Sequence, residues 1–264
     1  MRLLALALLL LGLGCGRVLA FDPFQSTGID RRPDARAPLD VSVVDEQGTS
    51  TTLEALARRK PILLAPVLHR CPNICGLTLA GLASAVMAQK FRPGRDFTLV
   101  AFGIDPREGT AEAMQSLADL HRAFPALGSE GVHAVTASAA DIARVTGALG
   151  YRYAWDDGIG QYAHISAVAV LTPDGHLSRW LYGIAPDATD VRLALTEAGD
   201  DRIGDWTDQL LLLCYHYDPE TGQYASVVWL LLRVGGGLTV VAGSALIGIA
   251  ILRERRGGRR EKPP

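Results

Sequence analysis

Two uninterrupted apolar stretches, each followed by a segment with helical spacing of apolar positions, stand out in the middle of the chain. The apolar stretches are residues 61–68 and 97–104, and the helical segments are residues 77–90 and 110–124. Continuous apolar runs of this length are typical of parallel strands that are buried on both faces. The pattern therefore predicts two strand–helix units that share a parallel β-sheet.

Shorter elements flank these two units. Alternating residues on either side of Asp45-Glu46-Gln47-Gly48 predict a β-hairpin, and a short helix follows at residues 53–59. Further along, the pattern predicts strands at 132–135, 151–155, 165–171 and 177–182 and helices at 139–149 and 187–197. This order predicts an α/β, thioredoxin-like fold in residues 39–200, with an N-terminal β-hairpin and an insertion around residues 110–150.

The N-terminus has the pattern of a secretory signal. A short charged start precedes the apolar residues 3–13, and small residues lead to a cleavage position after Ala20. Residues 1–20 are therefore predicted to be a signal peptide, and the Pro-, Asp- and Arg-rich residues 21–38 a linker. Two alternatives stay open: lipidation at Cys15, and an uncleaved segment that acts as an anchor.

The C-terminal part predicts a membrane anchor. Residues 227–252 are almost wholly apolar and long enough to span a bilayer as a helix, with Arg233 near the start. They follow a juxtamembrane segment, residues 201–226, and precede a tail, residues 253–264, with six basic and two acidic residues. By the positive-inside rule the tail is cytoplasmic. The sequence thus predicts a single-pass protein of the bacterial inner (cell) membrane with its folded domain on the periplasmic side.

The net charge of the whole chain is only −2, but the part between the predicted signal and the predicted span is acidic. Residues 21–224 contain 17 Lys and Arg against 26 Asp and Glu, a net charge of −9. This balance argues against nucleic acid and against docking on anionic lipid, and it suits cations or a basic partner.

The candidate chemistry lies at the junction between the first apolar stretch and its helix. There the sequence reads Arg70-Cys71-Pro72-Asn73-Ile74-Cys75-Gly76. If Cys75 begins the helix, the positive end of the helix dipole favours a thiolate. Residues four apart share a helix face, so both sulfurs could also hold one soft metal ion. The pair is therefore predicted to be a metal site, a dithiol redox couple, or both.

His164, just before a predicted strand, is the candidate third ligand. In a thioredoxin-like fold its loop lies against the cysteine turn. Two thiolates and one imidazole suit Cu(I), with Cu(II) accessible if oxygen or water adds, whereas zinc usually takes a fourth protein ligand. His69 is a rival ligand, although alternation points it away from Cys71. For Cys214 and His216 three alternatives stay open: a transient copper-passing pair, a cross-link between two protomers, or a packed cluster at the bilayer edge.

The chain resembles the SCO/SenC family of copper-binding proteins that serve cytochrome c oxidase assembly. The resemblance covers roughly residues 38–200 and rests on the Cys71–Cys75 motif, on Gly103-Ile104-Asp105-Pro106-Arg107-Glu108-Gly109-Thr110, and on His164. It implies a thioredoxin fold, copper ligation by Cys71, Cys75 and His164, and delivery to the dinuclear copper centre of oxidase subunit II. It also implies a role for Asp105 beside the site, for which the alternative is a turn residue that starts a helix. Asn73 and Gly76 depart from the residues frequent in the family.

Two functions follow from these residues. The first is a membrane-anchored copper metallochaperone, which is not an enzyme. The second is a thiol–disulfide oxidoreductase that reduces the cysteines of a copper-receiving protein through Cys71 and Cys75. The spacing of the cysteines and the presence of His164 favour the first function, because a pure reductase has no need of that histidine.

Overall fold

The computed structural model describes residues 26–32, 34–70, 75–199, 215–218 and 223–257. The helices are α1 (Leu53–Ala57), α2 (Cys75–Met87), α3 (Thr110–Ala123), α4 (Ala139–Leu149), α5 (Ala188–Ala198) and α6 (Val227–Gly257). The strands are β1 (Gly28–Ile29), β2 (Ser42–Val44), β3 (Ser50–Thr52), β4 (Ile62–Val67), β5 (Thr98–Gly103), β6 (Val132–Ala137), β7 (Tyr151–Arg152), β8 (Ala154–Asp156), β9 (Gln161–Ala163), β10 (Ala167–Leu171), β11 (Leu177–Tyr182), β12 (Tyr215–Asp218) and β13 (Gln223–Ser226).

The domain is built on a mixed seven-stranded sheet with the order β11-β10-β4-β5-β6-β2-β3. Strands β4, β5 and β6 run parallel, and Leu64 pairs with Val100 in the centre of the sheet. The outer strands β10, β11, β2 and β3 are each antiparallel to their inner neighbour. The carboxyl ends of β4 and β5 therefore point to the same edge, where α/β sheets commonly bind ligands.

The two apolar stretches form the core of this sheet, as the sequence predicts. Every residue of β4 and of β5 is buried. Helix α2 packs against α3 and α5, and α3 also packs against β6. This covering by helices explains why the two central strands carry no polar alternation.

Short side chains fix several helix ends close to their predicted positions. The Ser138 hydroxyl accepts the Asp141 N–H at 3.2 Å and caps α4, while the Asp187 carboxylate accepts the Thr189 N–H at 2.7 Å and caps α5. Such caps satisfy amide groups that have no partner within the helix. The N-terminal hairpin, β2–β3, also forms where the sequence predicts it.

The structure differs from the predicted elements in two places. The single strand predicted at 151–155 is divided into β7 and β8, because β7 pairs with β1 and β8 pairs with β9. Part of the predicted linker 21–38 also packs on the domain: Ala35 and Ala37 are buried, and β1 lies beside β7. These contacts join residues distant in sequence, which local patterning does not reveal.

The C-terminal part contains the hairpin β12–β13 followed by α6, which is 31 residues long and includes the predicted span 227–252. No helix within the described ranges is both long enough and apolar enough to cross a membrane. The span therefore stays a prediction. The predicted signal, residues 1–20, lies outside the described residues, as do parts of the juxtamembrane segment and of the basic tail.

Candidate metal centre

The predicted site lies where β4 leads into α2. Helix α2 begins at Cys75, as the interpretation of the cysteine pair requires. Cys71 lies outside the described residues, and of Cys75 only the backbone is described. Within the part of the chain that the structure describes, no group of three His, Cys, Asp or Glu side chains is placed to hold a metal ion. The complete three-ligand set therefore stays a prediction.

The backbone that leads to Cys71 is held by a buried carboxylate. The two oxygens of Glu108 accept the N–H groups of His69 and Arg70, at 2.9 and 2.7 Å. Glu108 itself is only 7% exposed. Charged acceptors form the stronger hydrogen bonds in proteins, so this pair fixes the chain directly before the first cysteine.

His164 lies between β9 and β10, and its environment defines the tautomer of its ring. The Tyr151 hydroxyl donates to the Ile165 carbonyl oxygen at 2.6 Å. The Nδ1 atom of His164 lies 2.9 Å from that hydroxyl oxygen and 3.1 Å from the same carbonyl oxygen. The Ile165 carbonyl can only accept a hydrogen bond, and the Tyr151 hydroxyl already donates its proton to that carbonyl. The proton between these oxygens and the His164 ring must therefore be carried by Nδ1. The lone pair therefore sits on Nε2, the arrangement seen in metal-ligating histidines whose other nitrogen donates to a fixed acceptor.

Burial lowers the pKa of His164, and the hydrogen bond to the Ile165 carbonyl opposes that effect only in part. The ring is therefore neutral under ordinary conditions, and the neutral ring is the form that binds a metal ion. The tautomer and the protonation state of His164 both fit the role of a ligand.

Asp105 follows β5 at the same edge of the sheet and pairs with Arg107. The Arg107 Nε donates to Oδ1 at 2.8 Å, and Nη2 donates to Oδ2 at 2.5 Å. This hydrogen-bonded guanidinium lowers the pKa of Asp105, against the opposing effect of burial. The carboxylate is thus ionised and occupied by Arg107.

The remaining candidates are placed as follows. His69, the rival ligand, has its Nε2 3.0 Å from the Val135 carbonyl oxygen, and burial lowers its pKa. Its ring therefore packs against β6. His216 lies in β12, and Cys214 falls outside the described residues, so a joint role for these two stays a prediction.

The sequence interpretation missed four residues that the structure places around the site. Glu108 and Arg107 belong to the same motif as Asp105, and Tyr151 and Trp155 lie in a segment that the pattern predicts to be a strand. The side chain of Arg107 stacks on Trp155, with its guanidinium carbon 4.1 Å from the ring centroid. No local signal marks Tyr151, because it stands 13 residues from His164 in the sequence and meets it only in the folded chain.

Comparison with known proteins gives a family match. The model of the family described as SCO1/SenC matches residues 32–194. No curated protein sequence matches the chain.

Solved structures confirm the fold. A protein from Aquifex aeolicus VF5 has a TM-score of 0.57 at 23% identity and covers 64% of this chain and 96% of its own. A SCO1/SenC family lipoprotein from Bacillus anthracis str. Ames has a TM-score of 0.50 at 15% identity, with coverages of 66% and 100%. ScoI from Arabidopsis thaliana, solved with copper bound, has a TM-score of 0.46 at 21% identity, with coverages of 56% and 88%. At these identities the likeness to the first two structures shows a mixed α/β, thioredoxin-like fold and nothing finer.

Proposed function

The chain belongs to the SCO1/SenC family, and from this premise we propose that it is a copper carrier. In this proposal Cys71, Cys75 and His164 bind the ion as cargo and pass it to a copper-receiving protein. The observation that carries the proposal is the environment of His164, whose Nδ1 proton is held by the Ile165 carbonyl and the Tyr151 hydroxyl. With the proton held on Nδ1, the lone pair lies on Nε2, which is the arrangement a metal ligand requires.

The donor set argues for copper. Two thiolates and one neutral imidazole are soft ligands, and three of them suit trigonal Cu(I) better than zinc, which usually takes four protein ligands in a closed site. Copper is also the metal bound in the structure of ScoI from Arabidopsis thaliana. The charge of −9 on residues 21–224 is compatible with a cationic cargo.

The proposed recipient is the dinuclear copper centre of cytochrome c oxidase subunit II. The Sco family is described as cytochrome c oxidase assembly proteins. The proposed setting is the periplasmic side of the inner membrane, with the signal at residues 1–20 and the span at residues 227–252, the latter within the long helix α6.

A thiol–disulfide oxidoreductase is the second candidate. It is favoured by the start of α2 at Cys75, because a thiol at a helix N-terminus ionises more readily. Reduction of a recipient's cysteines would precede copper transfer, since thiols must be reduced before they take the metal. The same pair could therefore serve both steps.

The test is a Cu(I) titration of the reduced full chain in detergent, in competition with a chromophoric Cu(I) chelator, beside His164→Ala. A carrier binds one Cu(I), and the variant binds it at least about tenfold more weakly. Copper binding that is no tighter than that of a simple dithiol and is unchanged in the variant would refute the carrier function. The reductase would then be judged by the reduction potential of the Cys71–Cys75 couple.

A further inference from the structure

The turn after β5 contacts both segments that carry the predicted ligands. Its neighbouring residues Arg107 and Glu108 reach in different directions: Glu108 bonds to the chain before Cys71, and Arg107 stacks on the hairpin β8–β9.

The contact of Glu108 is made with backbone. It accepts two successive N–H groups, from His69 and Arg70, and these are the last described residues before Cys71. The ring of His69 is held in addition by the Val135 carbonyl at 3.0 Å. The path of the chain into the cysteine motif is thus fixed at three hydrogen bonds, and two of these depend on one carboxylate.

The contact of Arg107 is made with an aromatic hairpin. Its guanidinium is oriented by the Asp105 carboxylate and lies 4.1 Å from the ring centroid of Trp155. Trp155 pairs with Tyr162 across β8–β9, with ring centroids 5.3 Å apart. Strand β9 ends one residue before His164, so a shift of the hairpin moves this ligand.

We propose that Arg107 and Glu108 are positioning residues that hold the cysteine segment and His164 at the spacing one copper ion requires. The part of this inference that concerns copper rests on the proposed function. Metal sites need their ligands held to within about half an ångström, and ligands on separate loops reach that precision only through supporting contacts. The turn after β5, a strand whose residues are all buried, contacts both loops and provides such support. The role implied for Asp105 is thereby refined: it acts through Arg107.

The variants Arg107→Leu and Glu108→Gln test this role, each in the wild-type chain and in His164→Ala. The Glu108→Gln substitution keeps the size of the side chain but places an amide NH2 group against the N–H of His69 or Arg70. The Arg107→Leu substitution removes both the ion pair with Asp105 and the stacking on Trp155. The matched controls are Arg122→Leu, from an exposed ion pair on α3, and Asp96→Asn, whose carboxylate accepts the Arg92 N–H before the start of β5. Cu(I) affinity is measured on the full chain in detergent by chelator competition.

Both variants are expected to bind Cu(I) about tenfold more weakly than wild type, while the controls keep their affinity. In the His164→Ala background, Arg107→Leu is expected to cause no further loss, because it acts through His164. Glu108→Gln is expected to weaken binding there as well, because it acts through the cysteines. Equal losses from Arg107→Leu in both backgrounds, or wild-type affinity in both variants, would overturn the proposal. If Glu108→Gln does not fold, Glu108→Asp replaces it, with the same expectation.

A metal-free measurement separates this proposal from the proposed function. If the wild-type chain binds no Cu(I), the carrier function fails, and the positioning role is judged by the reduction potential of the Cys71–Cys75 couple. A potential that changes in Glu108→Gln and stays constant in Asp96→Asn supports positioning of the cysteine segment. If Glu108→Gln and Asp96→Asn have the same reduction potential, the positioning role of Glu108 is overturned.

Discussion

Replacing Tyr151 with phenylalanine tests the link between the fold and the predicted ligand His164. The hydroxyl is the only group that the substitution removes. It donates to the Ile165 carbonyl at 2.6 Å and lies 2.9 Å from the His164 Nδ1. The phenyl ring can keep its place, because the Tyr151 ring stacks on Trp180 with centroids 5.6 Å apart.

The structure sets the expected size of both effects. Each neutral hydrogen bond contributes about 1 kcal/mol, so losing two costs about 1–2 kcal/mol of unfolding free energy. In a domain of this size that lowers the Tm by about 2–8 °C. Copper affinity falls by about tenfold, the low end of the range for groups that orient a ligand, because Nδ1 can still donate to the Ile165 carbonyl at 3.1 Å.

The assay pairs thermal unfolding of the metal-free chain with Cu(I) competition. Tyr182→Phe is the control, since Tyr182 is a partly buried tyrosine for which the described residues offer no hydrogen-bond partner. That variant is expected to keep both the Tm and the affinity. If Tyr151→Phe lowers the Tm but binds Cu(I) as tightly as wild type, the hydroxyl does not orient a copper ligand, and the argument from the tautomer is refuted.

Two further predictions concern stability. Burial acts to raise the pKa of Glu46, but hydrogen bonds from His133 and backbone N–H groups outweigh it and lower the pKa below 4.5. The ionised Glu46 carboxylate therefore stabilises the fold above pH 4.5, and this stabilisation is lost as the pH falls through its lowered pKa. The variant Glu46→Gln lacks this carboxylate, so its Tm should decline less steeply than that of wild type between about pH 5 and 3. A decline as steep as that of wild type would contradict the prediction. Gly81→Ala places a Cβ 2.3 Å from the Ile184 carbonyl oxygen and should cost about 1–3 kcal/mol in denaturant unfolding. Its control Gly147→Ala meets nothing within 4 Å in α4 and should stabilise by about 0.5–1 kcal/mol, so equal effects would refute the packing argument.

Local patterning was sufficient for the sheet and its helices. The two central strands are buried on both faces, so their apolar runs are unbroken, and α4 starts at a Ser cap that the sequence displays. Local patterning gave the wrong prediction at residues 151–155, where the alternation of apolar and polar residues is compatible with one strand. The chain divides there because β7 pairs with β1, which lies more than 120 residues earlier in the sequence. No local signal reports such a partner.

The same distinction between local patterns and long-range contacts applies to the candidate site. Cys75 and His164 could be selected from the sequence because a thiol at a strand–helix junction and a histidine beside a buried strand are chemically distinctive. The groups that support them are ordinary by type and become informative only through contacts over long sequence distances. Glu108 meets the N–H of Arg70 from 38 residues away, and Tyr151 meets the Ile165 carbonyl from 14 residues away. A carboxylate in a turn is usually solvated, and its burial to 7% is a property of the folded sheet edge. The ligands of a metal site can thus be proposed from residue chemistry, whereas the residues proposed to position them are found only once the fold has brought them together.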